Sequence, residues 1–313
     1  ENIIWGEGQG LKLALITLNT GRLTIPATCA AAGKWCLQVA REWSAEREQW
    51  GAPVGKHDAI AQKLAEMAGL AFAMDAIADN AARMADAGSF DIRLEAAIAK
   101  MYNSEAAWHV VDETMQIRGG RGYETAESLA GRGEKPIPLE KAMRDLRINL
   151  IFEGSSEIMR LFIAREAVDP HLQRAGALFE PNASLGAKAA SVAGLGVHMA
   201  GWVGGNVVGW GRWPRYAEYG PLARHLRYAD RTARKMARTL AWLMTRHGPG
   251  LEKRQMLLFR LVDVGAELFA ITTACVRARE LAGEPGADQK PYVLADIFCR
   301  GARRRIARQF NAI

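Results

Sequence analysis

Pro26-Ala-Thr-Cys-Ala-Ala-Ala-Gly-Lys-Trp-Cys-Leu-Gln-Val-Ala-Arg-Glu-Trp-Ser-Ala-Glu-Arg-Glu-Gln-Trp50 is the stretch from which the fold is read. Cys29, Cys36, Trp43 and Trp50 recur every seven residues, and Trp35, Val39 and Trp43 every four. Both spacings put apolar side chains on one face of an α-helix from about Pro26 to Trp50. Ile60, Leu64, Met67, Ala71, Met74, Ala78 and Ala81 mark a second helix, ending near Gly88. A third runs from about Asp91 to Met115 and stops at Gly119-Gly120, and Gly131 to Pro136 reads as a loop. Leu139, Met143, Leu146 and Leu150 mark another helix, and one more follows Ser155. Such helices joined by short loops predict an all-α fold, an antiparallel four-helix bundle followed by a second helical domain. Met and Trp on these stripes are read as core.

The boundary is placed near Asp169-Pro170, because proline discourages continuation of a helix. This gives a lead-in over 1–20, a bundle over 21–168 and an extension over 169–313. Within the extension, 181–221 break the pattern: they are rich in Gly, Ala and Val, with Trp202, Trp210 and Trp213 and few charges. A basic helical tail follows, from about Leu222 to Phe310.

The 313 residues suffice for about two domains. A hydrophobic content of 49% with 24% charged residues is ordinary for a globular chain. Cys29, Cys36, Cys275 and Cys299 form no CxxC pair, which argues against a zinc site or a disulfide framework. Residues 1–20 hold no basic segment leading into a cleavable apolar core, so no signal peptide is expected. No stretch has the apolar density of a membrane span. The net charge of +7 is uneven. Residues 168–313 carry 22 Lys/Arg against 11 Asp/Glu, a balance of +11, and the remaining 19 against 23 leave −4. Such asymmetry points the second half at an anionic partner or, equally, at solvent.

Glu153 is the candidate for chemistry. It lies in Arg147-Ile-Asn-Leu-Ile-Phe-Glu-Gly-Ser-Ser-Glu-Ile-Met-Arg160, between two helical segments and before a Gly-Ser break. Ile151 and Phe152 would give it apolar walls, and Gly154 would let the backbone approach a ligand. Burial strengthens a carboxylate as a base. The bland alternative is a helix-terminal Glu at a solvated turn.

Four stretches, in order, resemble the acyl-CoA dehydrogenase family: Glu1 to Gly10 with Asn19-Thr-Gly-Arg22; Arg47-Glu-Gln-Trp-Gly-Ala-Pro53; Gln116-Ile-Arg-Gly-Gly-Arg-Gly-Tyr123; and Arg144-Asp-Leu-Arg147 running through Arg160. Each is weak alone; together they are specific and cover about residues 1–167. The basic extension resembles the very-long-chain branch. The family has an N-terminal helical domain, a small β-domain and a C-terminal bundle. The resemblance therefore implies that residues 1–20 close the β-domain. It also implies a fragment lacking the first domain and most of the second, expected to be inactive alone.

The resemblance implies FAD as cofactor and α,β-dehydrogenation of long-chain acyl-CoA to the trans-2-enoyl-CoA in fatty-acid β-oxidation. Glu153 matches the base that removes the α-proton while hydride goes to flavin N5. Hydrogen bonds to the thioester oxygen, one of them from the base's own N–H, stabilise the developing enolate. The other family location for a base is near Asn19-Arg22, but no carboxylate stands between Glu7 and Glu42. Arg47, Gln49 and Trp50 match a flavin contact, with Trp in place of Phe. The alternative for Arg47 is an ion pair with Glu46 or Glu48. Gln116, Gly119 and Gly120 match a segment that cradles the adenosine part of FAD from a neighbouring subunit; their alternative is a helix C-cap. Ser155, Ser156 and Glu157 open a helix whose N–H groups would face the flavin, with Ser155 as a plain N-cap the alternative. Asn19, Arg22, Phe152 and Gly154 match the acyl-CoA side.

The resemblance also implies a homodimer and reoxidation by an electron-transfer flavoprotein. Residues 184–213, with three Trp beside Arg212 and Arg215, suggest peripheral membrane contact, or a helix pair packed on the bundle. Arg224, Arg227, Arg231, Arg234, Arg238 and the run 303–305 suggest nucleic acid or, more simply, a solvated helix face. The expected location is bacterial cytoplasm, with mitochondrial matrix the alternative. The competing functions are a non-catalytic scaffold or assembly factor and a nucleic-acid-associated relative.

Overall fold

The structure, a computed structural model, describes residues 5–88, 91–174, 184–208, 214–283 and 288–313. It is all-α apart from one minimal hairpin. Helix α1 spans Gly10–Glu46. Strands β1, Glu48–Gln49, and β2, Ala52–Pro53, pair antiparallel. Then come α2 over Asp58–Ala87, α3 over Arg93–Arg118, two short helices α4 and α5 over Gly120–Tyr123 and Ala126–Gly131, α6 over Leu139–Arg147 and α7 over Ser156–Arg174. Helices α8 to α11 span Leu185–Val208, Ala223–His247, Gln255–Ala282 and Lys290–Asn311.

Several expected boundaries move. Helix α1 starts at Gly10 rather than Pro26, which lies inside it, and ends at Glu46, so that Trp50 belongs to the hairpin. Pro170 likewise sits inside α7, which continues to Arg174. A proline removes only one N–H from the helical ladder, and the packing of the remaining turns outweighs that loss. The Gly- and Ala-rich stretch expected to break the pattern is itself helical over Leu185–Val208.

The chain divides into two compact units, residues 1–159 with 273–301, and residues 160–272 with 302–313. In the first, α1, α2 and α3 pack on one another, with α6 against α3. Cys29, Cys36, Met67, Met74, Val110 and Val111 fill their core. Asn103 of α3 ties the three helices together: its amide donates to Pro26 O at 3.0 Å and to Met74 O at 2.9 Å. A buried amide left unbonded would be costly, so this contact fixes how the helices sit. Gly69 of α2 admits residues 294–298 closely, since a β-carbon there would stand 3.0 Å from the Phe298 nitrogen.

In the second unit much of the basic content is used internally. Asp263 accepts from Arg160 at 2.8 Å and from Gln309 at 3.1 Å. Arg305 pairs with the buried Glu267 at 2.9 Å, and Arg303 lies over the Tyr228 ring at 4.4 Å. Arg234 pairs with Asp230, and Arg227 donates to Arg215 O. Arg224, Arg227, Arg231 and Arg238 are exposed along α9. Among the described residues, no helix is long and apolar enough to cross a membrane. Arg212, Trp210 and Trp213 lie outside the described residues.

Candidate active site

Between α6 and α7 the chain passes through a short 3-10 turn, Ile148–Leu150, and then reverses. Glu153 and Gly154 carry out the reversal with φ of 54° and 95°. The φ of Gly154 is one that side chains rarely adopt, and a β-carbon there would also meet the end of the Met159 side chain, 2.3 Å from Cε. For Glu153 the left-handed backbone costs on the order of 1–2 kcal/mol. Such strain marks functional turns.

The strain delivers the Glu153 side chain onto α1. A β-carbon built on Gly21 would lie 1.9 Å from Glu153 Oε2, so the carboxylate fills the space that a larger residue would take. Oε2 is buried and has no hydrogen-bond partner. Two cations act on it electrostatically, Arg22 of α1 and Lys100 of α3. Lys100 is fully buried, and its ammonium donates to Gly154 O at 2.7 Å. Burial lowers the pKa of both cations, and Glu153 opposes that shift in each. Cys29 completes the cluster; burial pushes its thiol up to about 12, with Lys100 opposing. The Glu153 N–H makes no hydrogen bond within the described residues. A dry, unbonded carboxylate oxygen held between cations, beside a free N–H, is an arrangement that can take a proton and stabilise a nearby anion.

The apolar walls expected around Glu153 are not formed by its neighbours. Ile151 is 53% and Phe152 39% exposed. The left-handed backbone at 153 turns the carboxylate inward and leaves those two facing out. Ser155 realises the N-cap alternative, accepting from Ile158 N at 3.4 Å, while Ser156 is buried and Glu157 exposed. Asn19 lies on α1, and its side chain falls outside the described residues.

The other predicted residues gather elsewhere in the same unit. Trp50 and Gly51 are the two central residues of the β1–β2 turn, with φ of 50° and 81°. Two left-handed residues make a type I′ hairpin, where Asn-Gly is the usual pair. Here a tryptophan takes the strained position, is 90% exposed and meets His57 edge-on at 5.6 Å. His57 Nε2 is 2.9 Å from Gln49 O. Arg47, Gln49, Trp50, Gly119 and Gly120 line a pocket of about 560 Å³, with Arg118 and Arg121. Arg47 is exposed and forms no ion pair with Glu46 or Glu48. Arg118 is buried over the Trp43 ring at 4.9 Å, and burial lowers its pKa. Gly119 ends α3 at φ 60°, ψ −140°, a conformation confined in practice to glycine. Its N–H bonds Gln116 O at 3.2 Å, so the C-cap alternative is also real. Gln116 itself is exposed and does not line the pocket, and neither does any residue around Glu153.

Sequence reasoning missed Gly21, Lys100, Arg118 and His57. Lys100 carried a signal: a lone lysine among Ala96, Ala97, Ala99 and Met101 on a helix buried nearly all round.

A reversing turn that seats a carboxylate on a helical bundle belongs to a known class. The acyl-CoA dehydrogenase C-terminal domain family matches residues 8–168, and the chain belongs to the acyl-CoA dehydrogenase family. Among its relatives is "Probable acyl-CoA dehydrogenase FadE10" of Mycobacterium tuberculosis, 53% identical over 315 residues, all of this chain and 48% of that protein. The human "Very long-chain specific acyl-CoA dehydrogenase, mitochondrial" is 32% identical over 326 residues, again all of this chain and 46% of that protein. The chain thus spans about half the length of the curated relatives it matches. The crystal structure of a Bacillus anthracis acyl-CoA dehydrogenase complexed with FAD shares the fold, with a TM-score of 0.73 at 22% identity over 96% of this chain and 50% of that one.

Proposed function

We propose that this chain is the base-bearing part of an FAD-dependent enzyme that converts long-chain acyl-CoA to the trans-2-enoyl-CoA, with Glu153 removing the α-proton. The observation that carries the reading is the buried, unbonded Oε2 of Glu153 beside Lys100 and Arg22. A proton α to a thioester is weakly acidic, and a carboxylate held in place beside it is a group that can remove it. The Glu153 N–H, which makes no hydrogen bond among the described residues, is the donor for the thioester oxygen as negative charge develops there. Gly154 keeps that approach open.

The residues present suit the flavin. The pocket at the hairpin joins the arginines 47, 118 and 121, the bare backbone at 119–120 and the exposed Trp50, a set matched to a diphosphate and an aromatic ring. Arg47, Gln49, Trp50, Gly119 and Gly120 hold the cofactor there, with Gln116 beside them, and Ser155, Ser156 and Glu157 meet it near Glu153. FAD, when bound, takes the β-hydrogen as hydride. Two separate groups of flavin residues on one chain fit a homodimer in which each flavin draws on both subunits.

Long-chain substrates are favoured by relatives named very-long-chain specific. Phe152, Asn19 and Arg22 serve the acyl-CoA, and an electron-transfer flavoprotein reoxidises the cofactor. The extension, including Leu185 and Val197 at 87% and 76% exposure on α8, provides peripheral membrane contact in a bacterial cytoplasm.

The test uses the complete gene product. Glu153→Gln should keep FAD and bind acyl-CoA while losing turnover by at least about a thousandfold, within the range general-base catalysis supplies. Near-wild-type turnover would overturn the assignment.

A further inference from the structure

We infer that Lys100 is a positioning residue for this reaction: its ammonium fixes the 153–154 turn through the Gly154 carbonyl and holds negative charge on the Glu153 carboxylate. The inference rests on the reading of Glu153 as the base.

Among the described residues Lys100 is the largest fully buried side chain, on a helix whose neighbouring positions are Ala97, Ala99 and Met101. A buried ammonium is expensive, and an apolar side chain of similar volume would fill the site at less cost. What the lysine gains is a bond to a residue 54 positions away, Gly154 O at 2.7 Å. That carbonyl belongs to Gly154, the residue that follows a glutamate held at φ 54° and is itself held at φ 95°. A left-handed glutamate keeps its conformation only when its surroundings hold it there. Met159 blocks the turn on the glycine side, and Lys100 ties its carbonyl on the other.

Charges from three elements act on Lys100. Glu153 and Cys29 favour its cation, as does Glu105 of its own helix; Arg22 and burial oppose it. Of these, Glu153 is the carboxylate that acts on Lys100 from another element. The two are coupled twice, through the turn's backbone and through space. Removing Lys100 thus loosens the turn and strips a cation from beside the base.

The experiment compares Lys100→Met, Lys100→Gln and Glu153→Gln in the complete gene product, with acyl-CoA and an artificial electron acceptor. Lys100→Met should lower kcat about 10- to 100-fold with KM nearly unchanged, as expected for a misplaced catalytic group. It should also move the acid limb of the kcat/KM profile to higher pH, because a carboxylate without a neighbouring cation holds its proton longer. Lys100→Gln restores a donor but not the charge, so kcat should recover most of its loss while the acid limb stays displaced. A lysine that merely filled space would leave that limb where it is. Should Lys100→Met not accumulate as folded protein, Lys100→Gln decides: a displaced limb supports the inference and an undisplaced one overturns it. A wild-type-like Lys100→Met beside an inactive Glu153→Gln overturns this inference alone. An active Glu153→Gln overturns the base assignment, and this inference with it.

Discussion

The Glu153 carboxylate occupies the volume that a side chain at position 21 would need: a β-carbon on Gly21 would lie 1.9 Å from Oε2 and 2.5 Å from Cδ. Two residues 132 positions apart in the chain thus share one space, and only one of them can have a side chain there. Glycine at 21 leaves room for this neighbour, at a position that is an ordinary helical one.

In most helices Gly→Ala gains about 0.5–1 kcal/mol. At position 21 the sign reverses in function. Gly21→Ala should displace the carboxylate and lower kcat at least about tenfold, with the helical circular dichroism spectrum unchanged. Full activity in that variant would show that the carboxylate acts from another position.

Trp50 sits where a type I′ turn prefers asparagine. Trp50→Asn should therefore raise stability by about 1 kcal/mol, read as a higher midpoint in urea. The same variant should release flavin more readily on dilution if Trp50 packs on the cofactor. Lower stability would mean that the edge-on contact with His57 outweighs the strain.

How much of this was legible in the residues alone depends on where each signal resides. The stripes of α1 to α3 are local, so spacing revealed the helices, and the Gly-Ser break after Glu153 revealed a turn. The stripe gave a helix only from about Pro26, whereas α1 begins at Gly10, and Pro170, where proline's local cost suggested a break, lies inside α7. Gly21 and Lys100 stayed hidden for a related reason: their roles exist only once α1 and α3 close over the 153–154 turn. Phe152 and Ile151 were read as walls because a left-handed φ at a glutamate is invisible in a sequence.

Cys29 and Cys36 each have a pKa pushed up to about 12 by burial. In the unfolded chain these thiols ionise near their ordinary value of 9.0. The native state therefore holds more protons than the unfolded state between about pH 9 and 12, and stability must fall as pH rises through that window. Urea midpoints measured from pH 8 to 10.5 should decline, and the decline should shrink in a Cys29→Ala/Cys36→Ala variant. At pH 8 a water-soluble thiol reagent should label none of the four buried cysteines in the native chain.

Asn103→Leu removes two buried hydrogen bonds at once. The expected loss is about 2 kcal/mol, measured by equilibrium unfolding in urea. A change below about 0.5 kcal/mol would mean that the apolar contacts alone set the arrangement of the helices.

That amide has a consequence for how the first unit comes apart. Its two donors are divided between backbone carbonyls of α1 and α2, while its own main chain belongs to α3. None of the three can peel away without stranding a polar group owned by the others. Melting of this unit should therefore be a single concerted event, recorded at one midpoint by probes on any of the three.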